Sequence, residues 1–123
     1  MEIFESKYNF NETLKALEES IKKNNLVIIN TINAQERLAK AGFSIKGNFI
    51  FEIFRPDYAY KIFSQNLKAG IEPPLRIYVF EDSDNKTYIE YYKPSEVFNK
   101  YNIKDIDDLD KIFDSIVAPL RKN

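Results

Sequence analysis

The chain has 123 residues, enough for one domain with its own core. Its 18 Lys and Arg nearly balance 19 Asp and Glu, so a net charge of -1 sets up no field for nucleic acid or an anionic membrane. It has neither Cys nor His. That removes disulfides, thiol nucleophiles, His/Cys zinc sites, His- or Cys-bound haem and the usual general base near neutral pH.

No apolar run approaches the roughly 18 residues that a membrane span needs. The opening Met1-Glu2-Ile3-Phe4-Glu5 shows no basic region followed by an apolar stretch. A cytoplasmic location is therefore expected. The only glycines are Gly42, Gly47 and Gly70, which make no phosphate-binding loop.

In chain order, Ile3 to Tyr8 reads as a first strand. A helix follows, with Asn11 as its expected N-cap and Phe10, Leu14, Leu17 and Ile21 at helical spacing. Glu18–Lys22 and Glu19–Lys23 fall at i,i+4 on its wet side. Asn24-Asn25 stops it. Leu26-Val27-Ile28-Ile29 leads a strand to about Ile32, and four consecutive apolar residues predict a strand covered on both faces. A short helix over Ala34–Ala41, capped by Asn33, ends at Gly42.

Gly47–Phe54 is the next strand. Phe49, Phe51 and Ile53 take one face, and Ile50, Glu52 and Phe54 the other. Arg55-Pro56-Asp57 starts a helix, with Pro at the first helical position and Asp in the first turn. Its expected inward stripe is Ala59, Ile62, Phe63 and Leu67, with Gly70 as the stop.

Leu75–Tyr92 is the least ambiguous stretch. Two period-two runs flank the polar turn Glu81-Asp82-Ser83-Asp84-Asn85-Lys86, where Asp and Asn tolerate left-handed backbone. Pro73-Pro74 belongs at the strand start, because Pro donates nothing to a ladder. Leu75, Ile77, Val79, Ile89 and Tyr91 form the core face. Arg76, Tyr78, Phe80, Tyr88, Glu90 and Tyr92 form the other, which is too aromatic for a plain wet surface and is expected to carry a subunit contact or a ligand.

Ser95 is the expected cap of a single helical turn reaching Tyr101, with Val97 and Phe98 as its apolar pair. The final helix, Ile106 to Ala118, has the best stripe in the chain: Ile106, Leu109, Ile112, Phe113, Ile116 and Val117. Pro119 ends it. The order β-α-β-(short α)-β-α-β-β-α predicts an α+β domain spanning residues 1–123, its helices packed on one face of a mainly antiparallel sheet.

Three stretches together resemble domain-of-unknown-function family 302, a group of small prokaryotic domains. They are YNFNETLKALEESIKKNNLVIINTINAQERLAKAG, FIFEIFRPDYAYKIFSQNLKAGIEPPLRIYVFED and TYIEYYKPSEVF. The resemblance implies a TATA-box-binding-protein-like α+β fold and a homodimer; it does not imply DNA binding. The chain departs from the family's pattern at Arg55-Pro56, where many members have Asn-Pro. It departs again at Leu75, where many have Cys, so chemistry resting on that Cys is not expected here.

The candidate ligand or interface residues are Glu52, Arg55, Arg76, Tyr78, Phe80, Tyr88, Glu90 and Tyr92. The acidic loop Asp82, Asp84, Asn85 lacks the Gly and the bidentate Glu of a calcium loop, so no metal is expected. No cofactor is expected either. An aromatic face with Arg76 suits base stacking, but the basic surround is missing, which argues against nucleic acid. The expected function is a non-enzymatic homodimer that binds a small molecule or a partner protein through its aromatic sheet face. The alternative is an enzyme using carboxylates with Tyr or Arg, with Glu52, Arg76 and Glu90 as its first residues.

Overall fold

The structure, a computed structural model, describes residues 1–123. Five strands form one antiparallel sheet: β1 (Glu2–Glu5), β2 (Val27–Asn33), β3 (Asn48–Phe54), β4 (Leu75–Glu81) and β5 (Thr87–Tyr91). Their spatial order is β1-β5-β4-β3-β2. Five helices accompany them: α1 (Phe10–Lys23), α2 (Ala34–Lys40), α3 (Pro56–Gln65), α4 (Pro94–Phe98) and α5 (Asp107–Val117). The expected α+β class and element order both hold.

The register explains the core. Directly opposed residues on neighbouring strands share a face. One inner row runs Phe4, Ile89, Val79, Phe49 across four strands. On that side Ile77, Val79, Ile89 and Tyr91 are buried against Leu17 and Ile21 of α1, Ile62 of α3, and Leu109, Phe113 and Ile116 of α5. The Ser20 hydroxyl donates to the Ile116 carbonyl at 2.6 Å and ties α1 to α5. Gly47 lies against the Phe10 ring, where a Cβ would come within 2.6 Å of it.

The hairpin turn works as its composition implies. The Asp82 side chain accepts from the backbone N–H of Asp84 (2.9 Å) and of Lys86 (3.0 Å). Asn85 adopts φ 62, and Asn25 takes the same left-handed conformation just past α1. Glu18 and Lys22 pair at 3.2 Å.

Several expectations need correction. The N-cap of α1 is Asn9, not Asn11; its side chain accepts from the Glu12 N–H. Two residues earlier satisfies the same orphan donors and brings Thr13 inward, where its hydroxyl meets that of Ser6 at 2.7 Å. Asn66, with extended backbone, ends α3 well before Gly70, and both Phe63 and Leu67 are exposed rather than part of the stripe, which Tyr58 joins instead. The cap of α4 is Lys93, whose N–H is satisfied by Glu96 in a capping box. Ser95 sits inside the helix and bonds Asp110 instead.

The largest correction concerns β2. It is not covered on both faces but lies at the sheet edge, with Val27 and Ile29 each 50% exposed. A bulge between Ile28 and Asn30 breaks its register with β3, so its apolar run has no single inward side.

Candidate functional site

Alternation sends every second residue of the central strands away from the helices. Three rows cross the sheet on this outer side. Near the hairpin turn Phe80 faces Tyr88 on β5 and Asn48 on β3. In the middle Ile32, Ile50, Tyr78, Glu90 and Ile3 line up across all five strands. Toward the far end Asn30, Glu52 and Arg76 are neighbours on β2, β3 and β4.

The first two rows carry an aromatic stack. Tyr78 and Phe80 lie 5.2 Å apart at 26°, and Phe80 and Tyr88 lie 5.5 Å apart at 22°. Offset stacking of this kind adds about 0.5–1.5 kcal/mol per pair beyond area burial and holds the rings as a fixed surface. The Tyr78 hydroxyl accepts from Asn48 Nδ2 at 2.6 Å. All three rings remain half-buried, and Ile3 at the β1 end is 48% exposed. The outer face is thus an aliphatic and aromatic patch with one carboxylate, Glu90, in its middle row.

The third row is polar, and its central member, Glu52, is buried between exposed Asn30 and Arg76. Glu52 is the one acid in the buried set. Its Oε1 accepts from Asn30 Nδ2 at 2.8 Å and its Oε2 from Arg76 Nε at 3.1 Å. The two partners differ in environment: the Glu52 side chain is 12% exposed and that of Arg76 58%. Arg76 opens onto a cleft of about 340 Å³ walled by Ile71, Pro73, Pro74 and Val97, with Tyr92 and Glu72 on its rim. Glu72 accepts from the Tyr101 hydroxyl at 2.5 Å, and that bond to a carboxylate raises the Tyr101 phenol above its ordinary value.

The eight candidate residues therefore fall in three places. Tyr78, Phe80 and Tyr88 share the aromatic patch, with Glu90 opposite Tyr78. Glu52, Arg76 and Tyr92 share the cleft. Arg55 stands apart. It forms a two-point bond to Asp57 (2.8 and 3.0 Å) and stacks 4.8 Å over the Tyr58 ring. That pairing raises the Arg55 guanidinium and lowers the Asp57 carboxyl from their usual values. Arg55 occupies the N-cap position of α3 without a side-chain capping bond and lines a small apolar hollow with Leu26, Ile53 and Ile62.

Sequence reasoning missed Asn30, Asn48 and Glu72. Asn30 had no signal, because the bulge decides which way it points. Glu72 was readable only as a charge before Pro73-Pro74.

The family model described as "Domain of unknown function DUF302" matches residues 3–120. The chain belongs to the DUF302 family. The resemblance drawn from the three quoted stretches is thereby confirmed. Among solved structures, a crystal structure of an uncharacterized conserved DUF302 protein from Bacillus stearothermophilus is similar over 97% of this chain and 94% of that one, with a TM-score of 0.77 and 24% identity. At that identity the likeness establishes the shared fold. No curated protein matches the sequence. No helix of this DUF302 chain is long and apolar enough to cross a membrane.

Proposed function

We propose that this DUF302 domain is a homodimeric, non-enzymatic binding module. Its outer sheet face receives a small molecule or a partner protein. The observation that carries this reading is the open outer face: stacked Tyr78, Phe80 and Tyr88 continue into Ile50, Ile32 and Ile3 on the side of the sheet opposite the core. A contiguous apolar surface of this kind marks a binding surface far more often than scattered exposed residues do. The cleft adds a polar end, lined by Arg76 and Tyr92, and the Arg76 guanidinium keeps N–H donors beyond the Nε that Glu52 accepts from.

The catalytic alternative has one observation in its favour, since Glu52 and Arg76 share a cleft. Their chemistry argues the other way. Both Glu52 oxygens already accept hydrogen bonds, so the carboxylate serves to hold Arg76 and Asn30 rather than to take a proton. Glu90 lies in the neighbouring row and outside the cleft.

An apolar fluorescent dye such as anilinonaphthalene sulfonate tests the reading. The folded protein should enhance its emission, and Phe80→Glu should abolish that enhancement while leaving the far-UV dichroism unchanged. A dye response identical in wild type and Phe80→Glu would show that the face is not a binding surface.

A further inference from the structure

Two opposite charges line the Arg76 cleft without meeting. Arg76 is held by Glu52, which takes only its Nε. The Nη1 and Nη2 donors at the tip of the guanidinium make no bond within the chain, and the side chain is 58% exposed. Glu72 lines the same cleft. Its Oε2 accepts from the Tyr101 hydroxyl and lies 3.7 Å from Lys100 Nζ. Its Oε1 accepts nothing from the protein. Each charge is anchored by other partners, and no ion pair joins the two.

Most of the remaining wall is carbon, supplied by Ile71, Pro73, Pro74 and Val97 with the Tyr92 ring. Ile71 is 82% exposed and Tyr92 58%, so this apolar surface is open. Apolar walls with a few fixed polar groups are the composition of a small-molecule site, and a volume of about 340 Å³ falls within the range of such sites.

We propose that the cleft binds an amino acid with an apolar side chain, an inference that rests on the binding-module reading above. The ligand carboxylate sits on the Nη1/Nη2 fork of Arg76, whose planar donors match two carboxylate oxygens. The ligand ammonium donates to Glu72 Oε1. The ligand side chain lies on the Ile71, Pro73 and Val97 wall. Charge selects this class. Glu52 and Glu72 cancel Arg76 and Lys100, so the site is neutral overall and suits a ligand that is neutral overall yet carries both charges. A simple acid would satisfy Arg76 but set its charge beside two carboxylates, and a phosphate dianion would do so twice over. A simple amine would leave the Arg76 fork bare. Lys100 is 72% exposed, so water screens it from the incoming ammonium.

Amide NMR titrations of the full chain test this with L-leucine, isocaproate (leucine without its amino group) and isopentylamine (leucine without its carboxylate). L-phenylalanine serves as a second amino acid. At millimolar concentration the amino acids should shift the signals of Ile71, Glu72, Arg76 and Tyr92, and each truncated probe should bind about tenfold more weakly or worse. Arg76→Lys keeps the charge but loses the fork, and Glu72→Gln removes the acceptor charge; each should weaken leucine binding about tenfold, with thermal melts showing that both are folded. The probes on the wild type decide the matter without either variant. Isocaproate binding as tightly as leucine would overturn the assignment of a zwitterion. No response at the cleft to either amino acid would overturn the site. Shifts confined to Tyr78, Phe80 and Tyr88 would also overturn it while supporting the binding face, whose own failure shows in the dye experiment instead.

Discussion

Along β4, Ile77 and Val79 are fully buried, whereas Tyr78 and Phe80, one residue away, are half-buried. The same strand presents both, and the difference lies in what each face packs against. The inner face meets three helices whose stripes come from this chain. The outer face meets its own neighbouring rings and, at one end, a buried carboxylate held by Asn30 and Arg76. The inner side chains therefore account for stability. The outer ones are larger than stability requires, which is why we assign them to binding.

Substitutions should separate the two faces by size of effect. Ile77→Ala removes a fully buried side chain in the inner row and should cost about 2–5 kcal/mol in denaturant unfolding. Phe80→Ala on the outer face should cost about 1 kcal/mol, the scale of the stacking it removes. Equal costs would erase the distinction.

The polar row should behave asymmetrically. Arg76→Met leaves the Glu52 carboxylate buried and half-satisfied and should destabilise by about 1–3 kcal/mol. Glu52→Gln leaves Arg76 largely in water and should cost less. A reversed order would mean that Arg76, not Glu52, is the desolvated partner.

Two smaller effects sharpen the inner face. The Thr87 hydroxyl is buried without a hydrogen-bond partner, so the near-isosteric Thr87→Val should be neutral or stabilising by up to about 1 kcal/mol. Loss of stability there would reveal a partner for the hydroxyl. Tyr91, buried at the end of β5 with Asp114 nearby, has its phenol pushed up to about 12 from 10.0, chiefly by burial. Its folded value is raised, so its contribution is complete below about pH 10 and is lost as pH rises toward about 12. Unfolding midpoints across that window should fall more steeply for wild type than for Tyr91→Phe. Parallel curves would place the tyrosine in water.

The hairpin and the two long helices were legible because their signals are local: alternation, a turn chemistry, and stripes such as Leu109, Phe113 and Ile116. The features that escaped depend on sheet order. The run Leu26–Ile29 looks the same at an edge as in a centre, and only the placement of β3 beside it decides. The bulge that turns Asn30 toward Glu52 leaves no mark in composition. Asn9 and Asn11 are equally good caps by type, and the Ser6–Thr13 contact selects the first. The cleft is assembled from β3, the Ile71–Pro74 segment and Tyr92, residues brought together only by the register. The outer aromatic face was readable in advance, whereas its division into a stacked patch and a polar cleft was not.

The central claim, that this is a homodimeric binding domain, is tested most directly by the mass of the native protein in solution. Static light scattering at micromolar concentration should give twice the 14.5 kDa chain mass. A mass of 14.5 kDa across that range would contradict it.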